Sequence, residues 1–303
     1  MPARRYQHWG AEPLWQELDA LLPGIGVEIV ASTDSTNTRL LERARHSSGH
    51  RRAPVTTPGQ LDAAETPDTR TPHGRRNDDT RPCLLVAEVQ TSGRGRQGRV
   101  WHSNASAGKS LTFSLALPLN PPEWSGLSLA VGVALADALD PPVDGAAPRV
   151  GLKWPNDLWL WDAPGRGRKL VGILIETVAV GERRMAVIGI GVNMLPQPNT
   201  QELSSGYGHL QELQPGIDAP TALKRVAAPL VRALKRFETE GLAPFLAGYR
   251  RRDLLAGQPI STTFPGVAEG VAEGIDEHGA LRVRAGEMHA LVSGEVSVRP
   301  APP

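Results

Sequence analysis

Seven residues, Gly93-Arg94-Gly95-Arg96-Gln97-Gly98-Arg99, concentrate the chemistry of this chain. Glycine lets a backbone approach a ligand closely, and the arginine fork matches carboxylate and phosphate oxygens. A loop that alternates the two expects a ligand that is, or becomes, strongly anionic. Two further segments, Lys153-Trp154-Pro155-Asn156-Asp157 and Lys169-Leu170-Val171-Gly172-Ile173-Leu174-Ile175-Glu176, hold two of the chain's five lysines. Among 33 basic residues, so few lysines suggest positions where a compact ammonium is wanted in place of a planar fork. Taken alone, either lysine also suits a solvated face, and Asn-Asp after proline also suits a plain turn.

Three familiar readings of these motifs compete. Gly93-x-Gly95-x-x-Gly98 after an apolar run meets the letter of the dinucleotide fingerprint. That fingerprint needs a helix opening at the glycines and an acidic residue about 20 positions on. Arg99-Val100-Trp101-His102-Ser103 is poor helix material, and three arginines would crowd a site made for backbone contact. Gly108-Lys109-Ser110 resembles the tail of a P-loop, but Ser103 stands where its leading glycine belongs and a strand-like alternation follows. Arginine–glycine segments that bind nucleic acid are long and disordered, whereas this run is short and lies between strand-like segments.

Taken in order, Ser35-Thr36-Asn37, the 93–99 loop, the 153–157 and 169–176 segments and Gly189-Ile190-Gly191-Val192-Asn193 resemble the signature set of biotin–protein ligases. The similarity runs from about residue 27 to the C-terminus. It implies a two-step ligase in which biotin's carboxylate attacks the α-phosphate of ATP to give biotinyl-5′-adenylate. A lysine of a biotin carrier protein, usually the carrier subunit of acetyl-CoA carboxylase, then takes the biotinyl group. By family position, biotin would be held by Ser35, Thr36, Asn37, Gln90, Arg94, Gly95, Arg96, Lys169, Gly172 and Leu174. ATP would be held by Arg96, Arg99, Trp101, Asn156, Asp157, Asn193 and Arg299, with Glu295 reaching back towards the same side. Lys169, Arg94 and Arg96 would be catalytic, offsetting the repulsion of two anions and stabilising the transition state. Mg2+ would screen the leaving pyrophosphate, with Asp157 as a ligand directly or through water.

Each assignment has a plainer counterpart. Ser-Thr-Asn before a helix is an ordinary cap, residues 170–175 read as strand core, and a lone tryptophan is most often core. The glycine–arginine loop would also act as a lid, closing on a hydrolysable adenylate until the acceptor docks. Two alternatives share parts of this pattern. A lipoate–protein ligase has the same adenylation chemistry, and the complete loop with Lys-Trp-Pro-Asn-Asp favours biotin over it. A non-catalytic sensor of biotinyl-adenylate would need a DNA-binding module, and the 26 residues before Val27 are too few for a winged helix-turn-helix.

Composition bounds the rest. A net charge of +1 offers no global field for nucleic acid or an anionic membrane. No apolar run has the length of a membrane span, and the N-terminus lacks the apolar core of a signal peptide. The single cysteine, Cys83, sits in an apolar run and reads as a reduced, buried residue of a cytoplasmic protein. Eight scattered histidines show no metal-ligand spacing. Oligomeric state, monomer or homodimer, stays open.

The elements that must position these residues alternate. Helices are expected over 14–22, from the Ser-Thr-Asn triplet through Ala44, over 127–139 and over 221–237. Strands are expected over 27–30, 84–90, 110–117, 151–154, 158–161, 169–178 and 184–193. Residues 46–82 hold only two aliphatics larger than alanine, Val55 and Leu61, and read as a disordered surface insertion. Short strands over 259–264, 266–275, 281–284, 288–292 and 295–299 imply a small antiparallel barrel. The whole reads as an α+β chain: a short segment over 1–26, a mixed-sheet catalytic domain of the biotin/lipoate protein ligase type over 27–250, and an SH3-like barrel over 253–303.

Overall fold

The computed structural model describes residues 8–49, 80–101, 107–164, 166–197, 206–292 and 298–300. Seven strands form one mixed sheet. They are β1 (Gly26–Thr33), β2 (Cys83–Gln90), β3 (Ser110–Pro118), β4 (Val150–Lys153), β5 (Asp157–Ala163), β6 (Arg166–Val180) and β7 (Arg183–Asn193), in the order β1-β2-β3-β7-β6-β5-β4. Only β1 and β2 run parallel; every other neighbour is antiparallel. The parallel pair is joined through a crossover that begins with α2 (Thr36–Gly49), as two parallel strands require.

The two faces of the sheet differ. In β3, Leu111, Phe113, Leu115 and Leu117 point into the main core, while Thr112, Ser114 and Ala116 point the other way and are equally buried. On the first face lie α1 (Ala11–Leu21), α3 (Leu127–Leu139) and α4 (Ala219–Glu240), whose apolar residues merge with Leu111, Phe113 and Leu115. Helix α3 is apolar on nearly every side because it is enclosed by α4, β4 and the sheet. On the second face α2 packs over a smaller cluster of Leu40, Leu41, Ala44, Cys83, Leu85, Met185 and Val187. Cys83 is buried as expected, and burial pushes its thiol up to about 12.

The remaining strands, β8 (Pro259–Phe264), β9 (Val267–Ile275), β10 (Leu281–Ala285), β11 (Glu287–Leu291) and β12 (Val298–Pro300), make a five-stranded antiparallel sheet in the order β11-β10-β9-β8-β12. This is the small SH3-like unit. Its inward residues Ile260, Ala272, Leu281 and Val283 join the main core, and Trp154 donates from Nε1 to the Gly279 carbonyl at 3.0 Å, so the two sheets share one interior.

Two expectations need correction. Helix α2 does not stop at Ala44 but continues to Gly49, into the stretch read as an insertion; residues 50–79 lie outside the described residues. A short helix, α5 (Leu246–Arg252), was not expected. It carries the fully buried Arg252, whose guanidinium meets Asp137, Asp140 and the Val150 carbonyl and ties α5 to α3 and β4.

Candidate active site

The glycine–arginine loop folds as a narrow hairpin. Trp101 N–H donates to Gly93 O at 2.9 Å and Gly95 N–H to Arg99 O at 2.7 Å, with Arg94 bridged to Val100 between them. The tip is a single 3-10 turn over Arg96–Gly98 in which Gln97 takes a left-handed φ of 56°. No α-helix opens at the glycines, and Ser110 starts a strand after Gly108-Lys109, so both phosphate-loop decoys fail in the structure. The glycine at 93 is sterically required, because a Cβ there would lie 2.3 Å from the Trp101 carbonyl oxygen.

Lys153-Trp154-Pro155-Asn156-Asp157 is also a hairpin turn. Lys153 and Asp157 are direct partners on the last rung of β4 and β5, so the turn presents an ammonium and a carboxylate side by side. Asn156 locks this turn to β6 by donating from Nδ2 to Ile173 O at 2.6 Å, and its Oδ1 meets Arg96 at 3.4 Å.

Lys169 reaches the same place through a change of strand register. Gly172, Leu174 and Glu176 of β6 face the second side of the sheet, so strict alternation would send Leu170 there and Lys169 into the core. Between Leu158 and Trp159 the pairing shifts: Leu158 meets Val171 but Trp159 meets Lys169, leaving Leu170 as an extra residue. This bulge keeps Leu170 and Val171 in the core, both fully buried, and turns Lys169 outwards. Its Nζ lies 2.8 Å from Asp157 Oδ1 and 5.8 Å from the centre of the Trp101 ring.

At the neutral end stand the residues of the Ser-Thr-Asn triplet. Gln90 Oε1 accepts from Thr36 N–H at 2.8 Å, and Asn37 donates from Nδ2 to Leu174 O and Glu176 Oε2. Arg94 meets the other oxygen of Glu176 and Thr38 Oγ1, so one carboxylate joins the loop to the triplet. The glycines of Gly189-Ile190-Gly191 make the room: a Cβ would lie 2.3 Å from Asn37 Oδ1 at Gly189 and 2.4 Å from Trp101 Cε2 at Gly191.

These parts enclose one cavity of about 670 Å³. Ser35, Thr36, Asn37, Gln90, Arg94, Gly95, Arg96, Arg99, Trp101, Asn156, Asp157, Lys169, Gly172, Leu174, Asn193 and Arg299 all line it, so the structure brings together every site residue expected from sequence that lies among the described residues. Glu295 lies outside them. Asn193 is placed with its amide nitrogen already committed, donating to Lys169 O at 3.0 Å and Gly208 O at 3.1 Å. Lining residues not singled out as ligands from sequence include Lys153, Trp159, Arg166 and Tyr207. The scarcity of lysine was a legible signal for Lys153; Arg166 and Tyr207 carried none.

Charge in the cavity is lopsided. Among the described residues seven cations line it, Arg94, Arg96, Arg99, Lys153, Arg166, Lys169 and Arg299, against one carboxylate, Asp157. Burial pushes the Lys153 ammonium down to about 8; Asp157 opposes this, while Lys169, Arg99 and Arg299 add repulsion. Burial likewise lowers Arg96 from its ordinary value, against the attraction of Asp157. Such a site is completed by anions. Among the described residues no group of three His, Cys, Asp or Glu side chains converges, and Asp157, the expected magnesium ligand, is paired with Lys169.

The mixed sheet thus carries, in one cavity, a neutral hydrogen-bonding end and a strongly cationic end suited to anionic ligands. The comparisons with known proteins agree. Residues 69–193 match the model of the biotin/lipoate A/B protein ligase family, and residues 256–299 match the biotin protein ligase C terminal domain. The biotin--[acetyl-CoA-carboxylase] ligase of Mycobacterium tuberculosis is 32% identical over 295 residues, 95% of this chain and 91% of that protein. The bifunctional ligase/repressor BirA of Escherichia coli is 37% identical over 221 residues, 71% of this chain and 66% of its own length. The biotin protein ligase of Aquifex aeolicus, solved in complex with biotin and ATP, superposes with a TM-score of 0.64 at 24% identity, covering 91% of this chain and 99% of that one. The chain belongs to the biotin/lipoate A/B protein ligase family. No helix among the described residues is long and apolar enough to cross a membrane.

Proposed function

We propose that this chain activates biotin with ATP and transfers it to a lysine of a biotin carrier protein. The observation that carries the reading is the two-ended cavity: neutral donors and acceptors from Ser35, Thr36, Asn37 and Gln90 at one end, where Arg94 is paired with Glu176, and a cluster of cations, Arg96, Arg99, Lys153, Lys169 and Arg299, around Asp157 at the other. Biotin matches that division, with a polar cyclic urea at one end of the molecule and a carboxylate at the other.

In the first step a carboxylate oxygen of biotin attacks the α-phosphorus of ATP, and the bond to the bridging oxygen breaks to release pyrophosphate. Both reactants are anions, so the barrier falls when fixed cations meet the charge that builds on the phosphoryl oxygens. The bulge turns Lys169 into the cavity beside Asp157 and the Trp101 ring. Arg94, Arg96 and Arg99 supply the fork contacts, Asn156 fixes Arg96, and Trp101 offers a ring face to biotin's thioether ring or to the adenine. In the second step the acceptor's ε-amine attacks the acyl carbon, AMP leaves with the carboxyl oxygen, and the amine gives up a proton. The loop hairpin shields the anhydride between the steps. Mg2+ would arrive as the nucleotide's own counter-ion, and no step here runs through a metal held by the protein. Arg299, from the C-terminal sheet, completes the phosphate side, and the cytoplasm supplies ATP and the carrier.

The test is mass spectrometry of a biotin carrier domain incubated with the protein, ATP, magnesium and either biotin or lipoate. Addition of one biotin, with none of lipoate, is the expected result. Labelling by lipoate alone would make the chain a lipoate ligase, and no labelling by either would remove the ligase reading.

A further inference from the structure

Ser114, at the middle of β3, has no solvent exposure and does not line the cavity, yet it touches the polar residues at the neutral end. Its Oγ lies 2.6 Å from Thr36 Oγ1 and 2.6 Å from Asn37 Oδ1. Thr36 Oγ1 in turn lies 3.0 Å from Gln90 Oε1. Both amides are oriented by what surrounds them. Asn37 must turn its nitrogen to Leu174 O and Glu176 Oε2, which only accept, and Gln90 must turn its oxygen to the Thr36 backbone N–H.

The protons can then be counted. Three oxygen–oxygen contacts, Ser114 with Asn37, Ser114 with Thr36 and Thr36 with Gln90, share only two hydroxyl protons. Asn37 Oδ1 offers none, so Ser114 donates to it. At 2.6 Å the contact between Ser114 and Thr36 also needs a proton, and only Thr36 can supply it. That leaves Thr36 Oγ1 and Gln90 Oε1 as two facing acceptors with no hydrogen between them, both on the cavity wall. A ligand N–H directed at that pair satisfies both. Gln90 also carries an amide nitrogen, a donor that suits a carbonyl beside that N–H.

We infer that Ser114 is a positioning residue that takes the Thr36 hydroxyl proton and so makes the neutral end of the cavity select a ligand carrying an adjacent N–H and C=O, a cyclic urea in preference to a dithiolane. This rests on the reading of the cavity as a biotin site. Gly189 pairs with Ser114 across β3 and β7, and its lack of a side chain is what lets Asn37 approach this serine.

The test is the variant Ser114→Ala, with biotin and ATP affinities measured separately by calorimetry and the thermal midpoint recorded. Without Ser114 the Thr36 proton turns to Gln90 and the acceptor pair is lost. Biotin affinity should fall about tenfold, roughly one hydrogen bond, while ATP affinity stays within about twofold. In a Thr36→Val background, which has no hydroxyl to orient, adding Ser114→Ala should change biotin affinity less than about twofold. Ser114→Cys, of similar size but a poor acceptor, should shift biotin in the same direction, which keeps the test open if the alanine variant folds badly. Unchanged biotin affinity, parallel loss of both ligands, or full additivity with Thr36→Val overturns the inference. Wild-type protein that bound ATP but not biotin would overturn the reading of the site, and this inference with it.

Discussion

Gly172 and Gly191 face each other across β6 and β7, and the Trp101 indole lies on the bare patch they leave. A Cβ on Gly172 would come within 2.9 Å of Trp101 Cζ3, and one on Gly191 within 2.4 Å of Cε2. Neither glycine has a left-handed φ, so what is selected is space, not backbone freedom. Gly191→Ala should therefore fold but displace the ring, at a cost of about 1–3 kcal/mol in overpacking. Adenylate formation, followed by biotin-dependent exchange of pyrophosphate into ATP, should fall at least about tenfold. In a Trp101→Ala background the same substitution should cost little more. Additive losses would show that Gly191 matters for some reason other than the ring.

Lys169→Ala should abolish exchange while leaving the fold intact, because the side chain sits outside the core and only its charge reaches the site. Loss of such a transition-state stabiliser costs about 10²–10³-fold in rate. The exchange assay with a thermal melt checks both halves. Exchange at the wild-type rate would remove Lys169 from the mechanism.

Arg96→Gly should separate making the intermediate from keeping it. Arg96 stands at the tip of the loop hairpin and reaches across to Asn156 at 3.4 Å, so it ties the loop to the Lys153–Asp157 turn as well as meeting phosphate. Without it, less binding energy holds the loop over the adenylate. Serum albumin incubated with the variant, biotin and ATP should acquire more biotin than with wild type. A variant that still makes adenylate but labels albumin no better than wild type would deny Arg96 this retaining role.

Lys153→Met should raise stability at neutral pH and remove a pH dependence. Burial holds the Lys153 ammonium at about 8 in the folded chain, below the unfolded value of about 10.4. Between those values the unfolded chain binds more protons, so stability rises with pH there, and below about 8 the full penalty applies. The penalty is on the order of 3 kcal/mol, using about 1.4 kcal/mol for each unit of displacement. Urea unfolding at pH 7 and pH 10 should show the wild type gaining stability with pH and the methionine variant changing less. Equal slopes for the two proteins would mean that Lys153 is not held in this way.

Much of this was legible in the chain itself. Helix α3 over Leu127–Leu139 and strand β8 over Pro259–Phe264 follow from apolar patterning and turn residues alone, because short-range periodicity settles them. The Gly93–Arg99 loop and the Lys153–Asp157 segment announce an anion site by residue type, because an arginine keeps its charge and a glycine its bare backbone in any fold. What the chain could not show is which way side chains turn once strands pair. The bulge that brings Lys169 to Asp157 and leaves Leu170 in the core depends on the register of β5 against β6, and a one-residue slip reverses every side chain. Ser114 and Gly189 gain their roles only because β3 and β7 set them opposite each other beneath Asn37, which lies far away along the chain. No sequence motif includes Arg252, and only the packing of α3, β4 and α5 around it makes it a buried tie. Local sequence chose the elements and the chemistry; non-local pairing chose which atoms meet, because hydrogen-bond direction and close contact are properties of two segments together.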